Sequence, residues 1–129
     1  MQDYRKLKVW KKAHELALVV YEDTRGFPRE ELYGLTSQMR RAAVSISANI
    51  AEGAGRSGNG EFGRFLYIAM GSAAELECEL ALARDLRLLA PERHGRLANH
   101  VNEEKRMLGA LIDRVEAART VNRKPSTVN

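Results

Sequence analysis

The side chains best placed to do chemistry are cations that recur at short spacing. Arg5, Lys6, Lys8, Lys11 and Lys12 crowd the N-terminus, with Tyr4 and Trp10 interleaved. Lys8, Lys11 and Lys12 fall together on a helix surface, where residues three and four apart are neighbours. Such a patch suits phosphate, because each contact releases a counterion and adds a salt-dependent increment of affinity. The same patch can equally be a solvated helix face. Arg40 and Arg41 stand directly before an uncharged run, and Arg56 and Arg64 flank a glycine-rich turn. In a cyclic oligomer these four would recur round a ring, turning a modest charge per chain into a strong field. Pairing of Arg40 and Arg41 with Glu52, Glu75 or Glu77 at a subunit contact is the alternative. The candidate nucleic-acid-binding set is therefore Lys8, Lys11, Lys12, Arg40, Arg41, Arg56 and Arg64. Trp10 keeps the apolar phase and reads as a core residue before it reads as a base-stacking platform.

Other chemistries lack their residues. A di-iron bundle needs Glu-x-x-His on two helices, but His14, His94 and His100 follow Lys11, Pro91 and Leu97 at that spacing. The one cysteine, Cys78, forms neither a CxxC nor an internal disulfide, which fits a reducing compartment. No Gly-x-Ser-x-Gly is present. The turn GAGRSGNG has glycines but neither a P-loop lysine nor a strand before it. Asn49, Glu52 and Glu104 occupy or flank apolar phases; as buried groups they need partners, and such residues serve to fix register. We expect no enzyme, no metal and no cofactor.

The elements that hold these residues are helical. The chain has 129 residues, one domain's worth, with 21 Lys and Arg against 17 Asp and Glu, a net charge of +4. That balance leans toward an acidic partner. No apolar run reaches the roughly 18 residues of a membrane span, and MQDYRKLKVW has no signal-peptide core, so a cytoplasmic protein without membrane contact is expected. Leu7, Trp10, His14, Ala17, Tyr21 and Thr24 mark a first helix over about Leu7 to Arg25, stopped by Gly26 and Pro28. Leu35, Met39, Ala42, Ile46, Asn49 and Gly53 mark a second. Five glycines between Gly53 and Gly63 make a turn. A third helix is expected from about Glu61 to Leu88, near the phase Phe62, Phe65, Ala69, Ser72, Leu76, Ala83 and Leu86, with Leu66, Ala73 and Leu80 beside them. A fourth runs from Pro91 to about Arg119 through Leu97, Val101, Glu104, Leu108, Leu111, Val115 and Ala118. The predicted fold is all-α, an up-down-up-down antiparallel four-helix bundle over residues 1–120, with a disordered tail at 121–129.

Ala42 to Ala51 carries no charge, and a helix without a polar face is normally buried all round. A small domain has little interior for one. From Phe62 to Ala74 only Arg64 is charged. With the turn centred near Ser57, Ala42 and Ala43 would fall opposite Ser72 and Ala73. Exposure of this half of the hairpin would leave a large apolar patch, so it is expected to be covered by a second copy. The interface candidates are Val44, Ala48, Ala51, Phe62 and Phe65.

The segments KLKVWKKAHELALVVY, YGLTSQMRRAAVSISANIAEGAGRS and EFGRFLYIAMGSAAELECEL closely resemble the four-helix-bundle family named for the 23S rRNA intervening sequence, which is related to the accessory protein of diversity-generating retroelements. The likeness runs from Tyr4 to Leu89, and RRAAVSI-x-ANIAEG is its most specific part. It implies a bundle assembled as a homopentamer, and it offers RNA, DNA or a reverse transcriptase as partners through basic surfaces. The sequence departs from the family's pattern at Ser47, commonly proline, at Met70, often basic, and at Cys78, often threonine. A non-enzymatic oligomeric module that engages nucleic acid is the reading this supports, with an adaptor ring for proteins as the alternative.

Overall fold

A computed structural model describes residues 2–123, with side chains through Val121. Four helices account for most of them: α1 (Lys8–Asp23), α2 (Leu35–Ala54), α3 (Asn59–Asp85) and α4 (Pro91–Arg123). Two short 3₁₀ turns, Tyr4–Lys6 and Arg29–Glu31, precede α1 and α2. No strand occurs among the described residues, and the arrangement is consistent with a four-helix bundle. α4 continues through Arg123, past the expected end at Arg119 and into the segment read as a tail; the tail residues 124–129 lie outside the described residues.

The helix ends have local causes. Thr24 closes α1 by turning its hydroxyl back onto the Val20 carbonyl at 2.8 Å. Glu31 Oε1 accepts from the Leu35 amide at 3.0 Å and caps α2. Between α2 and α3, Gly58 takes φ +94°, a conformation that costs glycine nothing. The α3 helix stops at Asp85, three residues before the expected Leu88. Leu88 N donates to Ala83 O and Arg87 N to Arg84 O, both at 2.9 Å, with Arg87 itself at φ 60°. That is a Schellman stop with arginine where glycine is usual.

One apolar core runs through all four helices, from Val9, Ala13, Leu16 and Val20 to Leu97, Val101, Leu108, Ile112 and Val115. On α3 the buried stripe is Phe62, Leu66, Ala69, Ala73, Leu76, Leu80 and Ala83. This corrects the expected phase: Phe65 is only partly buried and Leu86 is exposed. Phe62, expected at a subunit interface, lies inside the protomer at 4% exposure. It packs where Gly53 lets α2 come close: a Cβ on Gly53 would stand 2.8 Å from Phe65 Cβ and 3.0 Å from Phe62 Cδ1. On α2, Ile50 takes the core place expected of Asn49, whose amide instead donates to Ser45 O at 2.8 Å. Ser45 meets Ser72 at 2.8 Å, so the two helices are about one turn out of the expected register, because the turn centres nearer Asn59 than Ser57.

α1 and α4 are joined at one end by a buried carboxylate. Asp23 has no side-chain exposure and accepts from Arg93 at 3.1 Å and from Arg96 at 3.1 and 3.2 Å through both oxygens. Two guanidiniums supply what burial removes from such a charge. The Lys12–Glu103 pair, 3.7 Å, carries the same seam toward the other end.

Candidate nucleic-acid interface

The expected cations divide by what they touch. Arg40 is tied to α1: its Nε donates to Thr24 Oγ1 at 2.9 Å, Nη2 donates to Tyr21 O at 3.3 Å, and the guanidinium lies 4.6 Å from the Tyr21 ring centroid. Lys12 is shared with Glu103. Arg56 and Arg64 hold Glu52 and Glu61 at 2.6 and 3.3 Å, and their guanidiniums flank the Phe65 ring at 5.2 and 4.5 Å. Both pairs are solvent-exposed, where an ion pair contributes ~0–1 kcal/mol and exchanges readily for a phosphate. Arg41 is exposed, makes no ion pair among the described residues, and shares a groove between α2 and α3 with Gln38, Ser45 and Glu75.

Lys8 and Lys11 are different. Both are exposed and without an acidic partner among the described residues. Lys8 lies at the mouth of a groove of about 350 Å³ where the start of α1 meets α4. Lys6 stands beside it and Arg114 faces it from α4, over a floor of Leu7, Met107 and Leu111. No carboxylate lines this groove. Three cations without an ion pair among the described residues, set over a shared depression, form an anionic-ligand surface, and Lys11 lies one turn further along α1. The structure thus joins Lys8 to Lys6 and Arg114, leaves Lys11 outside the lining one turn along α1, and leaves Arg41, Arg56 and Arg64 elsewhere.

Arg114 was not singled out in the sequence. A signal for it existed: Met107, Ala110, Leu111 and Arg114 keep the 3-1-3 spacing of one helix face, a second apolar stripe beside the core and closed by a cation. Trp10 is half-buried, stacked on His14 at 5.0 Å and met edge-on by Tyr4 at 4.9 Å.

The other large depression, about 660 Å³ at the glycine turn, is lined by Glu61, Arg64, Glu116 and Arg119, whose charges cancel. No group of three His, Cys, Asp or Glu side chains converges among the described residues. None of the helices described is long and apolar enough to cross a membrane. Two glutamates are buried in the bundle. Glu104 is 1% exposed with both oxygens unpartnered, and burial, aided by Glu103 and opposed by Lys12, pushes its carboxyl up to about 8. Glu79 is raised to about 7, by burial first and by Glu75 second. Both are interior acids, and neither lines the depressions described above.

A model of the 23S rRNA-intervening sequence protein family matches residues 5–110. The chain belongs to this family. The family match takes in Lys6, Lys8 and Met107 and ends before Arg114, so one wall of the cationic groove lies beyond it. The crystal structure of a protein of unknown function from the S23 ribosomal protein family of Bacteroides thetaiotaomicron VPI-5482 has a similar fold. Its TM-score is 0.73 at 25% identity, over 81% of this chain and 97% of that one. No curated protein matches the chain.

Proposed function

We propose that this 23S rRNA-intervening sequence family member is a non-enzymatic, oligomeric module of the cytoplasm that engages RNA or DNA through the α1–α4 groove. One observation carries the reading: Lys6, Lys8 and Arg114 surround a depression that no carboxylate lines. Each cation would hold one backbone phosphate, and sequence would not be read. The oligomeric part rests on the opposite side of the molecule. Val44 is 43% exposed, Ile68 41% and Leu82 50%, with Ala48 and Cys78 exposed alongside, across the outer faces of α2 and α3. In this reading an up-down-up-down protomer closes into a cyclic homo-oligomer over that face, a pentamer by family resemblance, and the groove is repeated once per copy. Such repetition raises avidity without new contacts.

The aliphatic floor of the same groove favours a second reading. Leu7, Met107 and Leu111 offer nothing for a base to stack on, but they would receive the apolar side of an acidic amphipathic helix. A nucleic-acid-processing protein, such as the reverse transcriptase the retroelement resemblance implies, would then be the partner. Fluorescence anisotropy separates the two. Under the first reading, single- or double-stranded oligonucleotides bind at low salt. Lys8→Ala and Arg114→Ala each lower the slope of log affinity against log salt by about 1. Absence of binding at low salt removes the nucleic-acid reading. Light scattering that returns a monomer at micromolar concentration removes the ring.

A further inference from the structure

We infer a second anion site, separate from the α1–α4 groove, that accepts a phosphate group with at least three free oxygens, as free phosphate or as a terminal phosphate monoester. It lies in the connection between α1 and α2, in a pocket of about 180 Å³. Arg25, Arg29 and Arg40 all line it, and no carboxylate does. Glu22 reaches Arg25 at 3.5 Å in an exposed pair, and Glu31 is spent on the Leu35 amide, but neither lines the pocket. The second observation is independent of charge. Thr36 also lines the pocket, is 4% exposed, and its Oγ1 has no hydrogen-bond partner. A buried hydroxyl left in that state is costly to the fold, and an ion is among the partners that resolve it. The third is the backbone. Thr36 and Ser37 open α2, their amides find no acceptor among the described residues, and the helix dipole adds positive potential there.

Size and geometry select the ligand. At about 180 Å³ the pocket is below the roughly 300 Å³ at which pockets begin to hold drug-sized molecules, so it takes a tetrahedral oxyanion and leaves any group attached to it on the open side. Arg40 is already held in place by Thr24 and Tyr21, so its remaining N–H groups are pre-aimed. Arginine's planar fork suits phosphate oxygens two at a time. Phe27, Pro28 and Leu32 complete the lining, and Arg25 and Arg29 stay within reach of solvent. Free phosphate and the terminal phosphate of an oligonucleotide share this chemistry.

The test is thermal melting of the full chain in inorganic phosphate against chloride at equal ionic strength. It is paired with anisotropy of one oligonucleotide carrying either a 5′-phosphate or a 5′-hydroxyl. Wild-type protein melts higher in phosphate. Thr36→Val, which removes the orphaned hydroxyl and keeps the shape, is at least as stable in chloride yet loses the phosphate response; Arg29→Ala loses it too. If the oligonucleotide is the source, the 5′-phosphate form binds about tenfold tighter, a gain of about 1.4 kcal/mol, and both variants erase the difference. Equal binding of the two forms with a retained response to inorganic phosphate assigns the pocket to the free ion. A wild type that ignores phosphate, or variants that respond as wild type does, overturns the site. Because internucleotide phosphates engage Lys8 and Arg114, loss of this effect leaves salt-dependent binding at the groove intact.

Discussion

Replacing Glu104 by glutamine should leave stability at pH 5 close to wild type and raise it progressively as the solution becomes alkaline. The side chain lies in the core at a heptad position between Val101 and Leu108, with neither oxygen bonded. Burial moves its carboxyl from 4.5 to about 8. Below 4.5 the group is protonated in both the folded and the unfolded chain, and nothing depends on pH. Between 4.5 and 8 the unfolded chain sheds the proton while the folded chain keeps it, so stability falls as pH rises. Above 8 both forms are ionised and the loss is complete. At 1.36 kcal/mol per pH unit, the full loss is on the order of 5 kcal/mol, and on the order of 3 kcal/mol of it is present at pH 7. That is a large share of the 5–15 kcal/mol typical of a domain. Lys12 lowers the same carboxyl, so Lys12→Met should deepen the alkaline loss. Urea titrations followed by helical circular dichroism from pH 5 to 9 measure this, at one fixed protein concentration because the proposed association would add its own stability. Glu104→Leu also removes the orphaned oxygens and should gain at every pH. A difference between Glu104→Gln and wild type that stays flat from pH 5 to 9 would refute the reasoning.

Three further substitutions test the fold. Arg87→Gly should stabilise by about 1 kcal/mol in the same urea assay, since it relieves a left-handed arginine at the end of α3. Gly53→Ala should cost about 1–3 kcal/mol, because its methyl would meet Phe65 Cβ at 2.8 Å and the Phe62 carbonyl at 3.3 Å, neither of which can swing away. Asp23→Ala should cost about 1.5–3 kcal/mol, since the two guanidiniums it releases are already more than half exposed and return to water, and should loosen the α1–α4 seam, read as faster amide exchange at the start of α4. If Asp23→Ala melts with wild type, the buried clasp contributes nothing.

What the sequence made legible, and what it hid, follow from one property of helices. Period and breakers locate helices well: Pro28 falls between α1 and α2, Pro91 opens α4, Gly55 and Gly58 lie in the α2–α3 turn, and the start of α2 at Leu35 was readable from spacing alone. Phase is harder when apolar residues cover more than one stripe. On α3, Phe62, Phe65, Leu66, Ala69, Ser72 and Ala73 satisfy two overlapping heptads, and the packing of the bundle sets Phe62, Leu66 and Ala73 inside while Phe65 stays partly exposed. That choice took Phe62 from the interface set and left Ile68 and Leu82 facing out instead. The stop at Arg87 was hidden because its left-handed turn is made by backbone bonds that arginine does not announce. Charge was the least legible of all. The cations that sequence spacing grouped, Arg40 with Arg41 and Arg56 with Arg64, are either spent on neighbours or divided between surfaces. Lys8 and Arg114 share a groove across more than a hundred residues of chain. Spacing reports only neighbours on one helix, whereas a binding surface between two helices is set by the pairing of helices distant in sequence. The α1–α2 pocket is the converse. Its arginines are close in sequence, but what marks it as a site is the unsatisfied hydroxyl of Thr36, a property no spacing can show.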